Sequence, residues 1–273
     1  MLRDSALPRY RGGMSLSETL QAVHARAFAA LHVKGSPLVL YNIWDAGSAK
    51  AVRAAGAPAV ATGSWSVAAA LGYDDGEKVP LEIVAANVAR IVAAMDVPVT
   101  LDFESGYGRA PQAVQENVAR VIAAGVVGVN FEDQIVGGAG LYPLEEQAAR
   151  VRAVRAAADA AGVPLFINAR VDLFLKNPAT AHNDALVEEA LQRGAVYAAA
   201  GADGLFYPGL TDSRLIGVIC ARAPRPVNIL AKPGAPSKSE LARLGVARIS
   251  HGPFPYRQMA EALQQAAKRA MAE

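Results

Sequence analysis

A pair of carboxylates, Asp102 and Glu104, ends a short β-rich run that begins after Pro98 and breaks into glycine at Gly106. Side chains alternate between the two faces of a strand, so we expect both acids to point the same way and Phe103 to point to the other face. Like charges held that close are unfavourable unless a cation or a proton joins them. The pair therefore indicates either a cation site or an exposed strand end whose acids are simply solvated.

Two further charged residues, Glu132 and Arg170, follow the next two predicted strands. If the strands are parallel neighbours, Asp102, Glu104 and Glu132 could share one hard cation. Oxygen ligands completed by water are what Mg²⁺ prefers, and the sequence offers no His/Cys set of the kind that zinc favours. We interpret these acids as a Mg²⁺ site, with Mn²⁺ as the second ion to consider. Surface acids that form salt bridges with helix residues are the alternative.

Polar or aromatic residues also follow the other predicted strands: Trp44, Thr62, Gly63, Ser64, Asp75, Asn228 and His251. Thr62-Gly-Ser64 could present hydroxyl and backbone N–H groups to a carboxylate, or could be only a tight turn. Trp44 could form the wall of a small pocket or serve packing alone. His251 is the one histidine at a predicted strand end, and both a structural and a binding role are open for it.

The elements that must position these residues are short apolar runs, several of them entered through glycine or proline. Continuous apolar runs of this kind indicate parallel strands that are buried on both faces. The predicted strands are Pro37–Tyr41, Ala59–Thr62, Val97–Asp102, Gly128–Phe131, Pro164–Ala169, Gly204–Tyr207, Val227–Leu230 and Ala247–Ser250.

Amphipathic, alanine-rich stretches separate the strands and predict helices. They cover residues 46–55, 80–95, 111–124, 144–161, 182–200, 211–222 and 237–244, with a last helix over 256–271. Eight strand–helix units in one domain predict an α/β fold, a closed (β/α)₈ TIM barrel over residues 15–273. A doubly wound open sheet is the alternative.

The first residues of the chain have a different character. Residues 1–14 show no apolar period, so we expect a flexible tail. Ser15 or Ser17 is then predicted to cap an N-terminal helix that runs to about Leu31, with Leu20, Val23, Ala27 and Leu31 along its apolar side.

Composition excludes several classes of protein. Among 273 residues, 52% are hydrophobic and 19% are charged, which allows a sizeable core. The net charge of +2 is too even to indicate a nucleic acid or membrane partner, and no apolar run approaches the length of a membrane span. The single cysteine, Cys220, excludes an intramolecular disulfide. With no recognisable secretory signal, this leads us to expect a cytoplasmic protein.

Six motifs, in order and correctly spaced over roughly residues 15–255, resemble the isocitrate lyase/phosphoenolpyruvate mutase superfamily. They are Asn42-Ile-Trp-Asp-Ala-Gly-Ser-Ala49, Thr62-Gly-Ser64, Leu71-Gly-Tyr-Asp-Asp75, Leu101-Asp-Phe-Glu-Ser-Gly-Tyr-Gly108, Asn130-Phe-Glu-Asp-Gln134 and Asn168-Ala-Arg-Val-Asp172. Each motif is weak alone, but together they are specific.

The resemblance implies a (β/α)₈ barrel whose last helix is exchanged between the subunits of a dimer, which pairs into a tetramer. It also implies Mg²⁺ and a bound pyruvate-like enolate. Asp102 matches the direct metal ligand of the family. Glu104, which stands where many members have Asp, and Glu132 would hold the ion largely through waters.

The same resemblance assigns roles around the substrate. Asp75 matches the second acid of the family's L-G-x-x-D motif, and Arg170 matches the arginine that stabilises the oxygen-rich intermediate; these two are the catalytic candidates. The residues matched to the carboxylate and enolate pocket are Trp44, Thr62, Gly63 and Ser64. Asn228 and His251 complete the predicted substrate-binding set by their place at strand ends.

One segment departs from the family pattern. Lyases of the family follow the E-D-Q segment with K-[KR]-C-G-H, and the phosphonate mutases carry K-K-N-S there. This chain reads Gln134-Ile-Val-Gly-Gly-Ala-Gly-Leu-Tyr-Pro143, with neither cysteine nor lysine. We therefore do not expect a true isocitrate or methylisocitrate lyase.

The retained residues form an electron sink, which predicts a Mg²⁺-dependent C–C lyase acting on a small 2-oxo or 2-hydroxy (di)carboxylic acid through a pyruvate-enolate-like intermediate. Oxaloacetate-type decarboxylation is favoured because departing CO₂ requires no base. Cleavage of a 2-hydroxy acid requires one, and Asp75, Tyr107 and His251 all stay open for that role. The alternatives are P–C chemistry of the phosphonopyruvate hydrolase or phosphoenolpyruvate mutase type, and a barrel that binds a dicarboxylate without turnover.

Overall fold

Eight short parallel strands form the centre of the protein in the computed structural model, which describes residues 19–272. They are β1 Leu38–Leu40, β2 Val60–Ala61, β3 Val99–Asp102, β4 Gly128–Glu132, β5 Phe166–Arg170, β6 Gly204–Tyr207, β7 Val227–Leu230 and β8 Arg248–Ser250. Their order in the sheet is β1-β8-β7-β6-β5-β4-β3-β2. Each predicted strand is thus confirmed, with bounds that differ by a few residues.

The chain just beyond β1 closes the sheet against β2. Ile43 and Thr62 form a parallel bridge. The Ile43 N–H donates to the Ala61 carbonyl at 2.8 Å, and the Gly63 N–H donates to the Ile43 carbonyl at 3.1 Å. The sheet therefore curves back on itself as a (β/α)₈ TIM barrel, and the open-sheet alternative is excluded.

Eleven helices accompany the strands in the described part of the chain. They are α1 Leu20–Ala30, α2 Ala46–Ala54, α3 Ser64–Leu71, α4 Leu81–Ala93, α5 Pro111–Ala123, α6 Leu144–Ala160, α7 Leu173–Lys176, α8 Asp184–Ala199, α9 Ser213–Arg222, α10 Lys238–Arg243 and α11 Phe254–Ala272. Two of them, α3 and α7, were not predicted. Both are short, and α3 is so rich in apolar residues that it shows no amphipathic period. No helix within residues 19–272 is long and apolar enough to cross a membrane.

Helix α1 closes the end of the barrel at which the strands begin. His32, just after α1, stacks on Phe166 at the start of β5, with ring centroids 4.0 Å apart. Phe28 meets the same ring edge-on at 5.5 Å. The buried side of α1 is Ala22, Ala25 and Phe28. This end of the barrel is therefore filled by packed rings, which leaves the opposite end for a cavity.

The predicted apolar side of the N-terminal helix was wrong for three of its four residues, because Leu20 is 71% exposed and Val23 and Ala27 are also exposed. Leu31 is partly buried and packs against the core. The cap is Thr19, whose hydroxyl accepts a hydrogen bond from the Ala22 N–H at 3.2 Å. Ser15, Ser17 and the predicted tail over residues 1–14 lie outside the described residues.

A buried arginine on α6 holds the loop that follows β3. The Arg150 guanidinium donates to the Ser105 carbonyl, to the Ser105 hydroxyl at 3.0 Å and to the Gly108 carbonyl at 3.0 Å. It also lies over the Tyr142 ring, 3.8 Å from the centroid. Gly106, in the same loop, has φ +89°, and a Cβ there would lie 2.8 Å from the Phe131 ring. The loop is thus packed tightly against the barrel wall.

We predict that Arg150→Met lowers the free energy of unfolding by about 3 kcal/mol, since it leaves several buried loop acceptors without a donor. Arg150→Lys is expected to recover only part of that loss, because an ammonium cannot reproduce the planar fork of donors. Urea denaturation followed by circular dichroism measures both. The control is Arg152→Met, an exposed position on the same helix, where a change below about 0.5 kcal/mol is expected. Equal losses at the two positions would contradict the proposed anchoring by Arg150.

Candidate active site

A cavity of about 230 Å³ lies at the end of the barrel where the strands finish. Charged residues that line it include Asp75, Asp102 and Arg170. Neutral polar residues that line it are Asn42, Ser64, Asn130 and Ser250. This is the end at which barrels of this architecture gather loop residues around a ligand.

Asp102, the last residue of β3, presents one carboxylate oxygen that has no partner. Its Oδ2 accepts a hydrogen bond from the Ser64 N–H at 3.1 Å, and its own N–H donates to the Thr62 hydroxyl at 2.9 Å. Its Oδ1 is buried without any hydrogen-bond partner. A buried acceptor left unsatisfied is costly, and a cation at the cavity would supply what it lacks.

Glu104 does not continue the strand, so the expectation that it shares a strand face with Asp102 was wrong. The strand ends at Asp102, and Glu104 has φ +50°, in the left-handed region. Glu77 and Tyr107 also have left-handed φ values of +57°. The Glu77 N–H donates to Glu104 Oε2 at 2.7 Å, and the Tyr107 N–H donates to Glu77 Oε1 at 2.7 Å. Three strained residues therefore stabilise one another beside the cavity.

The Glu104 carboxylate is held inside this set of turns. The Tyr107 hydroxyl donates to Glu104 Oε1 at 3.1 Å. Burial, reinforced by the charge of Asp75, raises the pKa of Glu104 to about 7. Burial also raises the pKa of the Tyr107 phenol, an effect that the Glu104 charge adds to. Tyr107 is thus a hydrogen-bond donor here and is poorly suited to act as a base.

Glu132 and Arg170 form a buried ion pair at the ends of β4 and β5, with 2.7 Å between Nη1 and Oε2. The same guanidinium donates to Asp172 through Nε at 2.6 Å and through Nη2 at 3.0 Å. Burial opposes the charge of Arg170, but Asp172 and Glu132 outweigh it and raise the arginine's pKa. Arg170 is therefore a fixed cation already engaged by two carboxylates.

The donor set fits one hard cation bound mainly by Asp102. Within residues 19–272, no three His, Cys, Asp or Glu side chains lie close enough together to ligate one ion directly. Glu104 and Glu132 nevertheless lie near enough for their charges to interact with Asp102. Oxygen donors completed by water are typical of Mg²⁺. The arrangement is thus one in which Asp102 could touch the ion while the two glutamates act through waters.

Asp75 lines the cavity, and Arg170 is the cation whose charge acts on its carboxylate. Its carboxylate accepts a hydrogen bond from the Ser64 hydroxyl. Partial burial raises its pKa, and the charge of Asp102 adds to this. A carboxyl group with a raised pKa at a ligand cavity is suited to proton transfer.

Four of the other predicted binding residues lie at or near the cavity: Thr62, Gly63, Ser64 and Asn228. Gly63 and Ser64 line the cavity. The Gly63 N–H donates to the Ile43 carbonyl and the Ser64 N–H donates to Asp102, so neither of these two N–H groups is free to bind a ligand. Thr62 acts through Asp102, as described above. Asn228 lies beneath the cavity, where its side-chain amide donates to the Ser250 hydroxyl at 3.1 Å.

Trp44 and His251 do not belong to the cavity wall. The Trp44 ring packs edge-on against Tyr256 at 5.0 Å, and His251 packs against Tyr41, also at 5.0 Å. Trp65, the second residue of α3, lines the cavity instead. The sequence offered no indication that Trp65 lines the cavity in place of Trp44, because α3 itself was not predicted.

Arg248 is a charged residue beside the site that the sequence analysis missed, as it also missed Glu77. It is fully buried in β8 and donates to Asn130 Oδ1 at 3.0 Å; Asn168 donates to the same oxygen at 2.9 Å. Burial lowers the pKa of Arg248 to about 9, and the charge of Asp102 opposes this. The sequence feature that could have identified Arg248 is the presence of an arginine within the apolar run Ala247–Ser250.

The segment that departs from the family pattern forms a small hairpin. Gln134 and Leu141 pair in an antiparallel bridge, and the Ile135 N–H donates to the Gly140 carbonyl at 3.2 Å. Val136 and Gly137 line a separate surface groove with Glu77 and Tyr107. The hairpin therefore contributes no side chain to the wall of the main cavity.

Known proteins support the assignment of this barrel. The family model described as phosphoenolpyruvate phosphomutase matches residues 28–271. A crystal structure of a candidate phosphonomutase from Burkholderia cenocepacia has 48% identity and a TM-score of 0.90, covering 92% of this chain and 99% of that chain. An uncharacterized protein of Mycobacterium tuberculosis is 34% identical over 232 residues, which is 84% of this chain and 83% of the relative.

A more distant structure shows the same fold with ligands. Phosphonopyruvate hydrolase in complex with oxalate and Mg²⁺ has a TM-score of 0.79 at 21% identity, over 91% of this chain and 87% of that chain. Because the family model spans nearly all of the described barrel, the protein belongs to the phosphoenolpyruvate phosphomutase family, within the isocitrate lyase/phosphoenolpyruvate mutase superfamily.

Proposed function

We propose that the protein is a Mg²⁺-dependent lyase that cleaves a carbon–carbon bond of a small 2-oxo or 2-hydroxy acid through a pyruvate-enolate-like intermediate. The observation that carries this proposal is the buried, unpartnered Oδ1 of Asp102 at the cavity. Its family supports an enzyme acting on small acids. A distant relative of the same fold binds oxalate and Mg²⁺.

The residues proposed to hold the ion are Asp102 directly and Glu104 and Glu132 through waters, with Mn²⁺ as a second ion that oxygen donors accept. When bound, Mg²⁺ would supply a Lewis acid that withdraws electron density from a 2-oxo acid. Every other requirement falls on the chain itself: to bind the acid, to stabilise developing charge and to move a proton.

Binding of the substrate carboxylate is assigned to the start of α3. The N-cap residue of α3 is Gly63, which has no side chain to accept a hydrogen bond. After Ser64, the N–H groups in the first turn of α3 therefore have no side-chain acceptor. Such N–H groups, together with the helix dipole, favour an anion. Arg170 faces the same cavity and would stabilise negative charge as it develops on the substrate oxygens.

Proton transfer is assigned to Asp75. In a decarboxylation no base is required, and the carbon that loses CO₂ must afterwards receive a proton, which the Asp75 carboxyl group is placed to deliver. In cleavage of a 2-hydroxy acid, the Asp75 carboxylate would take the hydroxyl proton. Tyr107 is committed to Glu104, and His251 does not reach the cavity wall. Asp75 is thus the candidate that the geometry supports.

A second candidate function is P–C bond chemistry. The observation that favours it is the 48% identity to a candidate phosphonomutase. It would use the same ion site and the same arginine. A barrel that binds such acids without turnover is the third reading, and ligand binding without product formation would support it.

We predict that Asp102→Asn weakens Mg²⁺-dependent binding of oxalate by at least about 100-fold, since it removes the charge of the one direct ligand. Isothermal titration calorimetry with Mg²⁺, and with EDTA in its place, measures this. The matched control is Asp74→Asn, an exposed acid in the loop before the cavity, which is expected to bind as the unaltered protein does. Oxalate binding that ignores EDTA or the Asp102 substitution would remove the basis of the proposal.

For Asp75→Asn we expect oxalate affinity within about threefold of the original, because Asp75 is not assigned to the ion. Turnover of oxaloacetate to pyruvate should fall by at least about 100-fold, the usual contribution of a general acid or base. A coupled assay for pyruvate measures the rate. Loss of binding together with turnover would instead indicate that Asp75 helps to hold the ligand.

We also propose a homodimer or homotetramer in which α11 packs on a neighbouring subunit. Pro255 is the single buried residue of α11, and Leu263 and Met271 are 65% and 86% exposed. Such a long apolar face left in water is typical of an interface.

The expected result is that Leu263→Glu shifts the assembly toward monomer, because a charge on that face is costly to bury. Size-exclusion chromatography with light scattering measures the mass. Gln265→Glu changes charge on the other side of the same helix and should leave the assembly intact. A monomeric unaltered protein would refute the proposed interface directly.

A further inference from the structure

The side chain of Arg248 crosses the inside of the barrel beneath the cavity. Arg248 lies on β8, and its Nη2 donates to Asn130 Oδ1 on β4 at 3.0 Å. In a closed barrel whose eight strands follow one another in order, β8 and β4 stand opposite each other. Asn130 lines the cavity, and so does Ser250, to whose hydroxyl Arg248 Nε donates at 3.4 Å. Asn130, Arg248 and Ser250 therefore form a floor to the cavity, which we call the Arg248 floor.

The guanidinium of this floor is charged but contacts no carboxylate within residues 19–272. Its two acceptors, on Asn130 and Ser250, are neutral, and its Nη1 is buried without any hydrogen-bond partner. Burial lowers the pKa of Arg248 to about 9, so the group is still protonated at neutral pH, and Asp102 is the acid whose charge acts on it. A buried charge and a buried N–H left in this way are costly, and negative charge placed above them would offset that cost.

Arg170, the cation on the cavity wall, is in a different situation. Its guanidinium lies 2.7 Å from a Glu132 oxygen and 2.6 Å from an Asp172 oxygen. Two carboxylates at that distance balance its charge before any ligand arrives. The positive potential under the cavity therefore comes from Arg248 more than from Arg170.

Arg248 also determines how the two other floor side chains direct their protons. A guanidinium only donates, so the Asn130 atom that faces it must be the amide oxygen. Asn168 Nδ2 donates to the same oxygen at 2.9 Å. The Nδ2 of Asn130 is consequently turned away from Arg248. The Ser250 oxygen likewise accepts from Arg248 and, at 3.1 Å, from Asn228, while its own proton has only a long contact of 3.4 Å with Asn228 Oδ1.

We infer that Arg248 is a positioning residue for the enolate-like state of the ligand: it turns Asn130 and Ser250 to donate to an anionic ligand oxygen, and its charge favours a dianion over a monoanion. This inference rests on the proposed function, since it assumes an acid held at Asp102. When the carbon–carbon bond breaks, its electron pair passes to the 2-oxo oxygen. The 2-oxo acid unit thereby goes from one negative charge to two, and a fixed buried cation stabilises the second charge as it develops.

Oxalate and oxamate test the inference on the intact protein in the presence of Mg²⁺. The two have nearly the same size and shape, but oxalate is a dianion and oxamate is a monoanion. We expect Arg248→Met to reduce the ratio of oxalate affinity to oxamate affinity by at least about tenfold, because a buried charge near the ligand is lost. Isothermal titration calorimetry measures both affinities. The ion favours oxalate in both proteins, so an unchanged ratio would overturn the inference.

Binding of Mn²⁺ alone separates this role from general damage to the site. Without Arg248 the Asp102 carboxylate has less positive charge near it, so Mn²⁺ without oxalate should bind Arg248→Met at least as tightly as the unaltered protein. Electron paramagnetic resonance of free Mn²⁺ measures this. Weaker Mn²⁺ binding together with weaker oxalate binding would show that Arg248 only maintains the structure. Arg243→Met removes the same charge at an exposed position on α10 and should change neither measurement.

Ser250→Ala keeps the test decisive if Arg248→Met does not fold. It removes one hydroxyl donor from the floor, and we expect it to weaken oxalate by about tenfold while Mn²⁺ affinity stays within about twofold. Oxalate affinity that does not respond to this substitution would contradict donation from the Arg248 floor.

Oxalate binding to the unaltered protein distinguishes this inference from the proposed function. If oxalate fails to bind with Mg²⁺, the proposed function fails and the inference fails with it. If oxalate binds and Asp102→Asn abolishes that binding, but Arg248→Met keeps the full preference for oxalate, the inference alone is wrong.

Discussion

Buried negative charge at the mouth of the barrel is the constraint on which the rest of the site depends. Asp102, Glu104, Glu132 and Asp172 come together there, and within the described lining Arg170 is the one cation that faces them. Carboxylates are stable in such a place when they are paired, protonated or bound to an ion. Arg170 pairs with two of them, Glu104 is held by neighbouring N–H and O–H groups, and Asp102 keeps one oxygen free.

The barrel supplies the rigidity that keeps these charges together. Its other end is filled by Phe28, His32 and Phe166, so that the cavity is open from one side. Arg150 fixes the loop after β3, and with it the strained turn at Glu104. Strain of this kind persists where the surroundings over-determine it, which is common at functional sites.

Membership in the phosphoenolpyruvate phosphomutase family and the altered hairpin lead to different expectations. The family supports an enzyme that acts on a small acid, while the hairpin from Gln134 to Leu141 offers neither the cysteine nor the lysine of the lyase and mutase patterns. A reaction that relies on charge stabilisation and one proton donor fits both facts.

Local patterns were enough to predict the eight strands, the barrel and the ends at which Asp75, Asp102 and Arg170 lie. Apolar runs, their punctuation by glycine and proline, and the gathering of strand ends are properties that a sequence displays directly. Helix α7 was not predicted because four residues are too few to show a period, and α3 was not predicted because its mostly apolar residues show no amphipathic period. The exposure of Leu20 and Val23 was likewise invisible, since the side of α1 that is buried depends on where it meets β5.

What the tertiary structure decided is which charges meet. The left-handed turn at Glu104, the pairing of Arg170 with Glu132 and the contact of the buried Arg248 with Asn130 all arise between residues far apart in the chain. The sequence determined by itself that carboxylates end the strands; the closed barrel decided that one of them would face the cavity without a partner, because buried charge is balanced across space and not along the chain.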